Sequence, residues 1–373
     1  MIENKKTASA YMGKILWVDL TSGQIQEETL DPTIYSQFLG GTGLAAHILI
    51  DKIPPKADPL GPDNVIGFVS GLLTGTGALF TGRWMVAAKS PLTGTWGDAN
   101  CGGNFSPAIK RCGYDGIFFK GISPHPVYFC INRKKMELRD ARDIWGKDTK
   151  ETEAILKTDS GCRMPRIACI GQAGENISLI AGIANDGGRM AARSGLGAVM
   201  GSKRLKAVVL DGTHRIRVHD PVEIKRLSQK CNASIQFMPP FPQSFVLAYM
   251  GSLLRAITAQ PSTEDLFFNT VYKRMLQKWG TASLNQILIE LGDSPIKNWK
   301  GSNEDFGQER SEKLNPDVFS DCVIVKYHCY ACPLGCGGLC HRPGVSGETH
   351  KPEYETVLAL GGLCLNDDAD SIF

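Results

Sequence analysis

Between residues 13 and 210 short apolar-polar runs are separated by glycine, and the pattern changes after residue 212. Gly13-Lys-Ile-Leu-Trp-Val-Asp-Leu-Thr-Ser-Gly23-Gln-Ile25 sets alternating positions on either side of a Thr-Ser-Gly turn and predicts a hairpin. A second hairpin is predicted from 127–131, the basic turn 132–135 and 136–138. Further strands are predicted at 65–69, 84–88, 116–120, 166–170 and 207–210, and helices at 32–52 and 148–157. From 221 to 313 apolar residues recur every three or four positions: Val222, Ile224 and Leu227; Phe245, Leu247, Met250, Leu253 and Leu254; Leu284, Ile287, Leu288 and Leu291. That period predicts helices, with Met238-Pro-Pro-Phe-Pro242 as a rigid turn. The expected fold class is therefore α+β, with a strand-rich domain over 1–211 and a mainly helical one over 212–373. The sequence displays no internal repeat. No Gly-x-Gly-x-x-Gly follows a strand with an acidic residue about twenty positions on, which argues against a Rossmann fold.

Composition narrows the class. A net charge of +3 gives no reason to expect a nucleic-acid partner. No apolar run is long enough to span a bilayer, and MIENKKTASAYMGK has neither an apolar leader core nor a twin-arginine signal. The expectation is a cytoplasmic protein with no membrane partner. Of twelve cysteines, eight lie scattered, as thiols in a reducing compartment do.

The other four are Cys329, Cys332, Cys336 and Cys340. Cys-x2-Cys-x3-Cys with adjacent glycine reads as a [4Fe–4S] cradle with Cys329, Cys332 and Cys336 as ligands, because small residues let backbone amides approach the sulfides. A structural zinc site using His328, His341 or His350, and reduced core cysteines, are the alternatives.

Three glycine-flanked segments in the first domain carry a second signal: Thr81-Gly-Arg83 to Gly94, Asp98-Ala-Asn100-Cys-Gly-Gly-Asn104, and Asn185-Asp-Gly-Gly-Arg189-Met190 to Lys203. Read as loops, they offer guanidinium and backbone N–H groups to phosphate, and together they point to an unusual phosphorylated cofactor. Ordinary turns are the alternative for each one taken singly.

The order of Gly40-Gly-Thr-Gly-Leu-Ala-Ala46, Gly82-Arg83, Ala87-Ala-Lys-Ser-Pro-Leu-Thr-Gly94, Ala99-Asn-Cys-Gly-Gly103, Gly171-Gln-Ala-Gly-Glu-Asn176, Gly197-Ala-Val-Met-Gly-Ser-Lys203 and Cys-x2-Cys-Pro-x2-Cys336 resembles the tungsten-containing aldehyde ferredoxin oxidoreductase family. Pro352-Glu-Tyr-Glu355 and Leu360-Gly-Gly-Leu-Cys-Leu-Asn-Asp-Asp368 resemble it too, so the likeness runs through essentially the whole chain. It implies tungsten held by two pyranopterins, with molybdenum as the alternative metal, beside one [4Fe–4S] cluster. It implies oxidation of a small aldehyde or acyl substrate to a carboxylic acid, with electrons passed to ferredoxin or another iron–sulfur carrier. A homodimer, or added redox subunits, is the assembly to expect.

The resemblance also assigns residues. Arg83 would lie between cluster and pterin, and Arg189 would contact pterin phosphate. Asn100 and the carbonyl of Met190 would hold a magnesium ion bridging the phosphates, a hard-oxygen ligand set that suits this ion. Gly41, Gly43, Gly102 and Gly103 would let backbone lie against a pterin face. Glu353 or Glu355 would be the general base near the metal, or a carboxylate placed at a helix start. The chain departs from the family in two respects: neither the downstream Asp-x-x-Gly-Leu-Cys that supplies the fourth cluster ligand nor the similar Asp-x-x-Gly-Leu pterin motif occurs. The expectation is a truncated sequence or half of a split protein, inactive by itself, with Cys340 or Cys364 as substitute ligands. The alternatives are a tungsten subunit of a low-potential reductase of the benzoyl-coenzyme A reductase type, and a non-catalytic iron–sulfur electron-transfer remnant.

Overall fold

The computed structural model describes residues 10–236, 272–344 and 347–373. They form two compact units: Met1–Gln229 with Cys329–Ala331, and Lys230–His328 with Cys332–Phe373. The expected helix through Phe245 and Leu254 and the turn at 238–242 fall outside the described residues.

The first unit is built from two six-stranded sheets. One contains β1 (Lys14–Asp19), β2 (Ile25–Thr29), β3 (Ile66–Ser70), β4 (Trp84–Lys89), β5 (Trp96–Cys101) and β6 (Gly116–Lys120) in the order β2-β1-β6-β3-β4-β5. The other contains β7 (Val127–Ile131), β8 (Met136–Asp140), β9 (Arg166–Cys169), β10 (Ile183–Asn185), β11 (Arg189–Ala191) and β12 (Leu205–Leu210) in the order β11-β10-β9-β12-β7-β8. Read from its hairpin, each sheet has the same plan. The hairpin comes first, a three-stranded antiparallel meander follows, and the last strand inserts between them, parallel to the first. The sequence hides this repeat because side-chain identities differ while topology and burial agree.

The sheets bury side chains on both faces, which is why many strands read as continuous apolar runs. Leu16, Phe68, Trp84, Val86 and Phe119 of the first sheet share a core with Phe129, Ile131, Ile183, Val208 and Leu210 of the second. Helices α1 (Pro32–Phe38) and α2 (Thr42–Lys52) cover the outer face of the first sheet, where Tyr35, Leu44 and Ile48 meet Ile15, Val69 and Phe118. Helix α4 (Thr149–Asp159), opened by a capping box between Asp148 and Glu151, does the same for the second through Leu156. Between the sheets run α3 (Phe105–Arg111) and α6 (Leu196–Ser202), each just before the inserted strand of its half. α5 (Gln172–Glu175) and α7 (Pro221–Gln236) complete the helices here, and the division between units falls within α7.

Both predicted hairpins form, with Trp17 opposite Gln26 and Phe129 opposite Leu138. The single helix expected over 32–52 is two, because Leu39 (φ 61°) and Gly41 (φ 56°) take left-handed backbone conformations between them. β5, β10 and β11 are strands that the glycine-rich segments conceal, so those segments are not the loops the sequence suggests.

The second unit gathers Ile289, Ile296, Phe306, Leu314, Phe319, Val357 and Leu358 around short helices. It also holds a three-stranded antiparallel sheet of β13 (Val323–Tyr327), β14 (Gly337–Cys340) and β15 (Thr349–His350).

Asp115, 3 % exposed, ties the start of the described chain to this frame. It accepts from Met12 N–H (2.8 and 3.0 Å), Gly13 N–H (2.8 Å) and Tyr35 Oη (2.8 Å). The nearby Lys110 ammonium helps offset the burial that raises the Asp115 carboxyl. Asp115→Ala orphans these donors and should lower stability by about 3–5 kcal/mol. A fall below about 1 kcal/mol in urea unfolding would show the cluster to be dispensable.

Candidate functional site

Beyond the last residue of β5, Gly102 and Gly103 lead into α3. A Cβ placed on Gly102 would stand 2.6 Å from Cys329 Sγ, 3.4 Å from Arg189 Nη1 and 3.8 Å from Arg83 Nη1. The first thiol of the cysteine run therefore approaches bare backbone, with two guanidinium groups beside the same glycine. The segment is pinned there: Tyr330 N–H donates to Gly103 O at 3.0 Å, and Phe80 N–H donates to Ala331 O at 2.8 Å.

Gly103 has φ 101°, and a Cβ on it would collide with Asp186 and Asn185. Those two residues wire the turn between β10 and β11 to this glycine corner. Asn185, fully buried, donates through Nδ2 to Gly102 O at 3.2 Å and accepts from Cys101 Sγ at 2.9 Å. Asp186 Oδ2 accepts from the backbone and side-chain nitrogens of Asn104. Buried Glu153 of α4 accepts from Gly187 N–H at 2.9 and 3.0 Å, and burial raises its carboxyl. Burial likewise pushes the Cys101 thiol up to about 12, against the opposing pull of Arg83 and Arg189. Cys101 is thus kept as a neutral donor to Asn185. Sequence reading singled out neither Glu153 nor the linking roles of Asn185 and Asp186; the only signal was the Asn-Asp-Gly-Gly string itself.

Arg83 immediately precedes β4 and grips Asn100 of β5, donating from Nε to Oδ1 and from Nη2 to the Asn100 carbonyl at 3.3 Å. The Asn100 amide oxygen retains a second lone pair for a cation. Arg189 and Met190 lie on β11, which packs against β5. The strands carrying Asn100 and Met190 hold the same place in the two halves of the repeat. Gly41 has open space where a side chain would stand, whereas a Cβ on Gly43 would meet the Phe38 carbonyl. The first unit thus brings together Arg83, Asn100, Gly102, Gly103, Arg189, Met190 and Cys329.

Cys332 and Cys336 belong to the second unit, in the connection from β13 to β14. His328 Nδ1 lies 2.9 Å from the Cys332 carbonyl. Lys351 donates to the Cys336 carbonyl at 2.8 Å. Among the described residues no group of three or more His, Cys, Asp or Glu is gathered closely enough to hold a metal ion. Cys340 is buried on β14 beside Cys322, its thiol pushed up to about 12 by burial, and Cys364 is exposed and donates to the Ala359 carbonyl at 3.3 Å. Glu353 and Glu355 stand at the start of helix Tyr354–Leu360, one at the N-cap and one in the first turn. Glu353 accepts from Thr281 Oγ1, and Glu355 accepts from Tyr354 Oη at 3.3 Å.

Comparison with known proteins places these features in context. Residues 15–212 match the family model for the N-terminal domain of aldehyde ferredoxin oxidoreductase, and residues 262–373 match that for its domains 2 and 3. The tungsten-containing aldehyde ferredoxin oxidoreductase of Pyrococcus abyssi is 39 % identical over 97 % of this chain and 54 % of its own length. That of Pyrococcus horikoshii is 38 % identical over the same shares. The chain thus spans about half the length of these relatives. Among solved structures, the active-site complex BamBC of benzoyl coenzyme A reductase with 1,5-dienoyl-CoA aligns with a TM-score of 0.75 and 31 % identity, over 96 % of this chain and 51 % of that one.

The glycine corner makes a prediction that needs no cofactor. Gly102→Ala must displace Cys329, at a cost of about 1–3 kcal/mol. Amide hydrogen exchange at Phe80 and Tyr330 should quicken; unchanged exchange there would contradict the close approach.

Proposed function

We propose, from the premise that this chain belongs to the aldehyde ferredoxin oxidoreductase family, that its first domain (1–211) is the floor of a two-pterin tungsten site. Cys329, Cys332 and Cys336, all within the second domain as the sequence divides it (212–373), hold a [4Fe–4S] cluster. The observation that carries this reading is the Cys329 thiol lying against Gly102 where Arg83 and Arg189 converge. The donor set fits the groups: a cysteine thiol for iron, guanidinium groups for phosphate, and amide and peptide oxygens for magnesium. The duplicated fold adds a second argument, since two equivalent strands offer Asn100 and Met190 to two like cofactor halves.

When bound, a bis-pterin tungsten centre accepts the two electrons of an aldehyde oxidation and an iron–sulfur cluster carries them onward one at a time. The protein's share is positioning and charge. Arg83 holds Asn100 with one edge of its guanidinium and faces the Cys329 side with another, so one fixed cation serves both cofactors. Arg189 balances the phosphates. Glu353 or Glu355 would take a proton from water as its oxygen bonds to the carbonyl carbon of a small aldehyde; loss of the aldehydic hydrogen as one proton and two electrons then gives the acid, and ferredoxin would receive the electrons.

The likeness to the benzoyl coenzyme A reductase complex favours a second reading, in which the same site drives electrons toward a substrate within a larger assembly. Assays on protein purified without oxygen from its source separate the two. The first reading expects aldehyde-dependent reduction of ferredoxin or a viologen dye, lowered about 10–100-fold by Arg83→Ala and abolished by Cys332→Ser. Turnover of a coenzyme A thioester with none of aldehydes supports the second, and no turnover of either overturns both.

A further inference from the structure

A buried lysine stands behind the third cysteine of the run. Lys351 follows β15 and is 5 % exposed. Its Nζ donates to the Cys336 carbonyl at 2.8 Å and to the Trp279 carbonyl at 2.6 Å. Its own backbone N–H donates to Gly338 O at 2.8 Å, which fixes it to β14. At Gly280 (φ 69°) a Cβ would strike both Lys351 Nζ and the Cys336 carbonyl, so the corner admits the ammonium only because that position is glycine.

The arrangement is costly unless the charge has a use. An ammonium taken out of water loses several kcal/mol of solvation. Two neutral carbonyls take two of its three N–H groups without neutralising it. Among the described residues no carboxylate forms an ion pair with Lys351 within 4.0 Å. Burial lowers the pKa of the ammonium, and Glu353 and Cys336 are the neighbours that oppose that shift most. A hydrophobic side chain would fill the same volume without that burden, so the site is built around a positive charge next to Cys336.

We propose that Lys351 is a positioning residue for the cluster: it holds the Cys336 backbone in place through the carbonyl, and its ammonium makes the cluster easier to reduce. The inference rests on the reading of Cys336 as a cluster ligand. Reduction adds one electron and one negative charge to the cluster, and a fixed cation in a low-dielectric interior stabilises the more negative state. The hydrogen bond to the carbonyl holds that cation at one distance from the sulfur ligand.

The test is a redox titration of the cluster, followed by electron paramagnetic resonance, on native protein purified without oxygen. Unsubstituted protein is compared with Lys351→Met, which keeps the volume and removes the charge, and with Lys351→Arg, which keeps the charge. The inference expects a more negative midpoint potential in the methionine variant and a value near the unsubstituted one in the arginine variant. A methionine variant with an unmoved midpoint overturns it. Should that variant fail to fold, Lys351→Gln, which retains a donor but no charge, is read by the same two outcomes. Unsubstituted protein without any cluster signal overturns the cluster reading itself, and this inference with it, and so is distinguishable from an intact cluster whose potential ignores Lys351.

Discussion

No side chain can occupy position 102 while the Cys329 sulfur stays where it is. This steric exclusion organises the first unit's candidate site. It sets the thiol on bare backbone and gives Arg83 and Arg189 access to the same point. It also makes Gly102 a shared acceptor corner, since Asn185 donates to its carbonyl. The neighbouring Gly103, held at φ 101° with its carbonyl taken by Tyr330 N–H, extends the corner by one residue. The Glu153 carboxylate accepts from Gly187 N–H and so pins the turn whose Asn185 and Asp186 hold this backbone.

The rest of the first unit supplies the rigidity on which the corner depends. Two sheets of one plan share a core, and each is closed on its outer face by helix. Strands buried on both faces cannot slip by a residue without driving polar side chains into the interior. β5 and β11, the edge strands that carry Asn100, Arg189 and Met190, inherit that fixed register from β4 and β10. Charge is handled in the same manner. Lys206 lies fully buried against Glu175, and Lys203 donates to the Gly121 carbonyl at 3.1 Å.

Much of this was legible from the chain. The two hairpins announced themselves by alternation, and α4 lies where a helix was expected, over 148–157. The family resemblance, carried by motifs spread over nearly the whole length, agrees with the family models and relatives. What failed did so for physical reasons. β5, β10 and β11 are short and rich in small or polar residues, so propensity reads them as loops, and only pairing with neighbouring strands makes them strands. The duplication was invisible because it survives in connectivity alone. Glu153 and the role of Asp186 were not singled out, since nothing local to either position reports the backbone N–H groups that reach them from distant segments. Lys351 gave no signal for the same reason: its partners are carbonyls, which every residue has.

The central claim is that this architecture carries tungsten and an iron–sulfur cluster together, and metal content tests it most directly. Elemental mass spectrometry of protein purified without oxygen from its source should find about one tungsten and about four irons per chain. Iron without tungsten or molybdenum would contradict the two-pterin site while leaving the cysteine run its cluster. Absence of both metals would contradict the account as a whole.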